Sequence, residues 1–258
     1  MVGRRITTPV FGLGLIEAIP TATILAKNDP ADANQDGISG RINVLYNPET
    51  RTKEIGRFGW KCQVSSVHLF SGDAYRNEMG ITNPTFPTEV LPQGNAIPAG
   101  ADQVADPEDA TGAAVTRLTN FMKLMAAPVP LSTGTTQART LFANTGCASC
   151  HTPTMNTGPN SVAALANKPV DLYSDLLLHD MGAQLGDGIR QGLAGGTEFR
   201  TAPLWGIRFR RFLLSDGRAQ NVDQAIRLHG GEATNSVTLY NALTAADRNV
   251  LLTFVQGL

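Results

Sequence analysis

The pentapeptide Cys147-Ala-Ser-Cys150-His151 constrains this chain more than any other feature. Two thiols three residues apart, followed at once by an imidazole, fit the pattern for attachment of a c-type haem. The thiols add across the two vinyl groups and the next residue presents a ring nitrogen to the iron. At this composition a chance match is expected on the order of once in a few thousand chains. A zinc site would need a second ligand pair, and Cys62 with scattered histidines makes a poor one. A thioredoxin-like pair should open a helix after a buried strand, whereas here a helix comes first. With 3 cysteines in 258 residues there is no disulfide framework, and Cys62 reads as a buried spectator thiol. One covalent haem c is therefore expected. Because such haems are attached after export, the chain belongs in the periplasm or another extracytoplasmic space. Met1–Arg5 is basic, but Val10–Ile19 is broken by glycines and lacks a small-residue cleavage site. The chain thus reads as a mature product or a fragment rather than a precursor.

The surroundings of the motif read as helical. Ala138, Leu141 and Phe142 share one face of a short helix predicted over Thr135–Asn144 and ended by Gly146, the kind of element that feeds a cytochrome c motif. Thr244 and Asp247 resemble a capping box opening a final helix, with Val250, Leu251, Phe254 and Val255 as its apolar stripe. Another helix is expected over Asn221–Leu228. Upstream, helices are predicted around Ile16–Lys27, Gln63–Asn77 and Ala110–Ala126, joined by long loops of which Pro84–Pro107 is the longest. Pro128-Val-Pro130 marks the boundary between residues 1–127 and 128–258. Few strand patterns are visible, so the expected fold is mainly α, with a cytochrome c-like haem domain over 128–258.

Charge excludes some partners. The chain carries 21 Lys/Arg against 22 Asp/Glu, which gives no field to attract nucleic acid, and no apolar run approaches the roughly 20 residues of a membrane span. Arg200, Arg208, Arg210, Arg211 and Arg218 crowd one stretch, which fits a solvated face, haem propionates or an acidic partner; of these Arg218 is taken as cofactor-binding. Asp32, Asn34, Asp36 and Ile38, with Gly37 between them, match the first half of a calcium loop. The twelfth position is Asn43, which lacks the usual bidentate carboxylate, so calcium competes with a plain Asx turn. For the second axial position on the iron, His179, His229, Met155 and Met181 are candidates. Met155 lies too close to His151 to reach the opposite haem face, and spacing decides no further.

Several segments resemble the di-haem oxidoreductase family, also called thiol oxidoreductases, which is related to bacterial di-haem cytochrome c peroxidases. They are Phe11–Pro20, Gly56–Lys61, Tyr173–Gly182, Glu198–Gly206 and Asp216–Ala219, with His229-Gly-Gly-Glu232 following. The resemblance runs from about Gly3 to the C-terminus, with the motifs in family order. In the related peroxidases a methionine at the end of the helix after the Asp-Gly turn closes the C-terminal haem, and His229 stands there in this sequence. The resemblance therefore implies His151/His229 ligation and a supporting role for His179. Two imidazoles make a closed, low-spin iron of lower potential than His/Met ligation. The family also carries a second, reactive haem on an N-terminal domain. Here Cys62 has no partner cysteine or following histidine, so residues 1–127 read as a loop-rich, mostly helical remnant of that second cytochrome c-like domain. By the same resemblance Glu78 corresponds to an acid–base glutamate and Trp60 to a tryptophan relaying electrons between haems.

Three functions compete: an electron-transfer haem module of a di-haem oxidoreductase, a peroxidase or oxidase acting on its own haem, and a haem-containing interaction subunit of a larger redox complex. The first is favoured, with a redox protein or electron-transfer complex as partner and no peroxidase turnover expected of this chain alone. If the haem is covalent, intact mass spectrometry will find the polypeptide plus one haem; release of the haem into acidified organic solvent contradicts the attachment.

Overall fold

The computed structural model describes residues 3–258. Among them, four helices precede the proline boundary: α1 (Leu13–Ala18), α2 (Thr21–Leu25), α3 (Val67–Met79) and α4 (Ala113–Leu124). Five follow it: α5 (Thr136–Asn144), α6 (Cys147–Cys150), α7 (Val222–Leu228), α8 (Thr234–Ala242) and α9 (Ala245–Gln256). Three antiparallel two-stranded ribbons complete the described elements. They pair β1 (Val44–Asn47) with β2 (Thr52–Ile55), β3 (Met155–Asn156) with β4 (Pro169–Val170), and β5 (Leu178–Asp180) with β6 (Glu198–Arg200). The architecture is helices and small sheets, with long loops between them.

Four of the nine described helix starts follow from side-chain caps. The side chains of Ser66, Thr135, Asn221 and Thr244 each accept a backbone N–H three residues on, at 2.9–3.1 Å. Such caps are worth about 1 kcal/mol each. Thr244 and Asp247 close the expected box, since the Thr244 hydroxyl also donates to Asp247 at 2.8 Å. The helix expected over Ile16–Lys27 is instead two. Pro20 lacks an N–H and disfavours helical backbone in the residue before it, and Ile19 is extended, with ψ 125°. The orphaned carbonyls at that break are taken up by Arg57, whose buried guanidinium donates to the carbonyls of Ile16, Glu17 and Ile19. The helix expected from Gln63 starts only at Val67, where the Ser66 cap permits it.

Two large apolar clusters hold the chain together. One gathers Leu13, Ile16, Ile24, Val67 and Met122 from α1 to α4, and with them Met155, Val170, Leu172, Leu176, Leu177 and Trp205. It joins residues on both sides of Pro128. The other packs α5, α7, α8 and α9 around Phe142, Tyr173, Tyr240, Leu251 and Phe254. Within it the rings of Phe142, Tyr173 and Phe254 meet edge-on with centroids 5.6–5.9 Å apart, an arrangement favoured by the ring quadrupoles. Leu172 belongs to the first cluster and Tyr173 to the second, so the segment between β4 and β5 stitches the two together. Among the described residues no helix is long and apolar enough to cross a membrane.

The ring triad lies beneath the pentapeptide rather than in it. Phe254→Ala, at a position 5% exposed, is expected to lower the unfolding free energy by about 3–5 kcal/mol, read from the urea midpoint at constant slope. A loss under about 1 kcal/mol means that the cavity closes and the triad is not a structural unit.

Candidate cofactor site

Gly146 makes the turn from α5 into α6. Its φ is 77°, a left-handed value open to glycine, and a Cβ there would lie 2.6 Å from the Ser236 hydroxyl. The turn leaves both thiols free and half-buried. After α6 the chain is zipped to the segment that leads into β5. Asp175 N–H donates to the Cys150 carbonyl, Ser174 N–H to Thr152 and Tyr173 N–H to Pro153, at 2.9–3.1 Å.

Cys147, Cys150, His151 and His229 all line one cleft, whose walls are otherwise mainly apolar: Phe142, Leu185, Leu204, Ile207, Leu213 and Val222 among them. The cleft is open at its mouth, and its mainly apolar lining with a few convergent polar groups suits an apolar cofactor.

The two imidazoles are prepared alike. His151 Nδ1 donates to the Tyr173 carbonyl at 2.8 Å, and His229 Nδ1 to the Ala225 carbonyl at 2.6 Å. A carbonyl only accepts, so each ring must carry its proton on Nδ1 and leave the Nε2 lone pair free. This backbone bond is the usual outer partner of a metal-bound histidine. Burial lowers the pKa of His151 to about 4, with His229 adding to the effect, and burial lowers that of His229. Both rings are therefore neutral near pH 7.

His179 also reaches the cleft wall but is prepared in the opposite way. Its Nε2 meets Asp175 at 2.9 Å and its Nδ1 meets Glu232 at 2.8 Å, with the Cys150 sulfur 3.6 Å from the same Nδ1. Burial opposes the charge, but the bonds to Asp175, Cys150 and Glu232 outweigh it and push the pKa up to about 12. A doubly protonated imidazole has no lone pair to give a metal. Glu232 in turn accepts from the N–H and hydroxyl of Ser39 at 3.1 and 2.8 Å. Gly231 lets the loop after α7 close on β5, since a Cβ there would stand 2.1 Å from the Asp180 carbonyl.

Other residues singled out in the sequence fall inside and outside this cleft. Trp60 and Met181 line it; Trp60 is 7% exposed and its indole donates to the Ile6 carbonyl at 2.7 Å. Met155 is buried in the first apolar cluster. Arg218 is outside the lining, paired with Asp216 at 2.6 Å and donating to the Gln184 carbonyl. Arg200 and Arg210 line the cleft in its stead. Glu78 is exposed near the end of α3 and is not among the lining residues. In the Asp32–Ile38 loop the Asp32 carboxylate accepts from the N–H groups of Asp36 and Gly37, and Asp36 from that of Ile38, at 2.9–3.3 Å. The Asp36 bond to Ile38 is an Asx turn, while Asp32 reaches four and five residues on, and Ile38 lies in the cleft lining. Cys62 is buried, its sulfhydryl donating to the Leu176 carbonyl at 3.3 Å, and burial pushes its pKa up to about 12.

Sequence reasoning missed Asp175, although it stands four residues before His179, because that spacing signals a contact on a helix and this segment is not helical but turns at Leu176, where φ is 62°. It also passed over the roles of Glu232 and of the Tyr173 carbonyl, which depend on how loops meet.

The family model described as "Di-haem oxidoreductase, putative peroxidase" matches residues 1–258. The chain belongs to this family, and with it comes a haem cofactor and an oxidoreductase, peroxidase-like redox character. No curated protein and no solved structure matches the chain.

The His179 charge carries a pH signature. Its pKa is raised on folding from the ordinary 6.5, so its stabilisation is complete below about pH 6.5 and is lost progressively as the pH climbs towards the folded value. Thermal melting of the protein is expected to fall on the alkaline side, and to fall less in His179→Gln. An identical alkaline slope in the variant means that the imidazole is neutral in the fold.

Proposed function

We propose that this chain is a c-type haem module that carries electrons within a di-haem oxidoreductase of the periplasm or another extracytoplasmic space. Cys147 and Cys150 would hold the haem through thioether bonds, and His151 and His229 would each give its iron a ring nitrogen. The observation that carries this reading is the matched pair of neutral imidazoles in one cleft with both thiols, each holding its proton on a backbone carbonyl. When bound, haem c supplies a one-electron couple whose potential is set by its axial ligands and surroundings.

The protein's own groups do the rest. The carbonyls of Tyr173 and Ala225 orient the two rings and fix their tautomers. The apolar walls exclude water and lower the local dielectric, which strengthens every charge interaction inside the cleft. The Asp175–His179–Glu232 chain braces the Cys150 side without offering a ligand. Trp60 lines this cleft and also a small pocket bounded by Phe11, Phe58, Phe70 and Trp205, a position that suits an electron relay towards residues 1–127. An iron held by both His151 and His229 would leave peroxide no place to bind, so on this reading the chain would be a carrier for a redox partner and not itself a peroxidase.

The axial assignment is tested by substitution. His229→Ala is expected to convert the oxidised visible spectrum from low spin to high spin, while His179→Ala leaves it low-spin. The opposite pattern would move the sixth ligand to His179.

A further inference from the structure

Among the described residues, five buried side-chain atoms lack any hydrogen-bond partner, and three of them, Arg200 Nε, Thr201 Oγ1 and Arg210 Nη2, belong to residues that line the cofactor cleft. The other two belong to Arg76 and Arg248, which lie elsewhere and hold acceptors through their other nitrogens.

The charges of these arginines are unbalanced. Arg5, Arg41, Arg218 and Arg227 each meet a carboxylate, and no such ion pair is formed by Arg200 or Arg210 among the described residues. Arg200 is 7% exposed, and its recorded side-chain bond is to the Arg57 carbonyl at 2.7 Å. Arg210 lies with its guanidinium 5.8 Å from the Trp60 ring centroid. Burial weakens the charged form of both, and Arg200 weakens that of Arg210 further. Two like charges in an apolar cleft, with free donors, are costly unless an anion joins them. A doubly negative, planar group with two carboxylates meets that need.

We infer that Arg200 and Arg210 form the anion-binding pair of the cleft and hold the two propionates of the haem, with the Thr201 hydroxyl as a further donor. This inference rests on the haem reading above. The guanidinium forks suit carboxylates, which they can grip through two parallel bonds. The pair does more than anchor. Positive charge in the low dielectric of the cleft favours the reduced haem and keeps the propionates ionised. Arg210 beside Trp60 also sets the propionate edge against the indole on the side facing residues 1–127.

The test uses the holoprotein, with covalent haem confirmed by mass and by its low-spin spectrum. The midpoint potential is measured by spectroelectrochemical titration across acidic to alkaline pH in the wild type, Arg210→Gln, Arg200→Gln and Arg210→Lys. The expected result is a nearly pH-independent potential in the wild type. Each Gln variant should have a lower potential that becomes pH-dependent on the acidic side, as a propionate takes up a proton on reduction. Arg210→Lys should restore most of both. If Arg200→Gln does not fold, the half-buried Arg210 decides alone. Gln variants that retain covalent low-spin haem yet keep the wild-type potential and pH profile overturn the propionate assignment while leaving the haem reading intact. A wild type without covalent haem removes the haem reading itself.

Discussion

The ionic chain Asp175–His179–Glu232 is the interaction on which the arrangement of the site depends. One protonated ring, 3% exposed, is held between two carboxylates that come from different parts of the sequence. Asp175 is tied to the Cys150 carbonyl, and Glu232 to Ser39 and to the loop after α7. His179 thereby binds the thiol turn, the β5 strand, the loop bearing His229 and a loop of the N-terminal region into one frame. A buried charge costs more than it returns unless its partners are complete, and here they are. The same completeness occupies both ring nitrogens of His179, whereas His229 bonds the Ala225 carbonyl through Nδ1.

The cleft is built by division of labour between backbone and side chains. Backbone carbonyls hold the two neutral imidazoles, because a carbonyl fixes a tautomer without adding charge. Carboxylates hold His179, because they draw a second proton onto the ring. Apolar side chains from α5, α7, α9 and the loop between β6 and α7 supply the walls. The polar atoms that remain unsatisfied are gathered on Arg200, Thr201 and Arg210, at one part of the lining. An apolar space with two neutral imidazoles, two thiols and an uncompensated cationic corner is the lining on which the proposed haem c rests.

The two halves of the chain are less separate in space than in sequence. Met155, Val170, Leu172, Leu176, Leu177 and Trp205 bury their side chains with α1 to α4, so the segment that supports His151 and β5 also completes the core of the N-terminal region. Buried Arg57 and Lys61 fasten the same junction. Arg57 satisfies the end of α1, and Lys61 donates to the Gly195 and Glu198 carbonyls and pairs with Asp187. Trp60 sits between these two cations in sequence and between two pockets in space, which gives the proposed relay a rigid setting.

What the sequence by itself determined was local. The Cys-Ala-Ser-Cys-His motif, the helices beginning near Thr135 and Asn221, the cap at Thr244, the apolar stripe of the last helix and the burial of Cys62 all rest on residues near one another in the chain. Spacing and side-chain chemistry suffice for such features. The break at Pro20 was legible too, but the helical period around it hid the effect. His179, His229 and Met181 all line the cleft, which only the tertiary structure shows, and the two histidines are told apart by the partner of Nδ1. That partner is a carbonyl of the preceding turn for His229 and a carboxylate from 53 residues away for His179. Arg218 and Arg210 likewise look equivalent in the sequence, eight positions apart in one basic stretch. Only packing turns the first onto Asp216 and leaves the second without an anion in an apolar cleft.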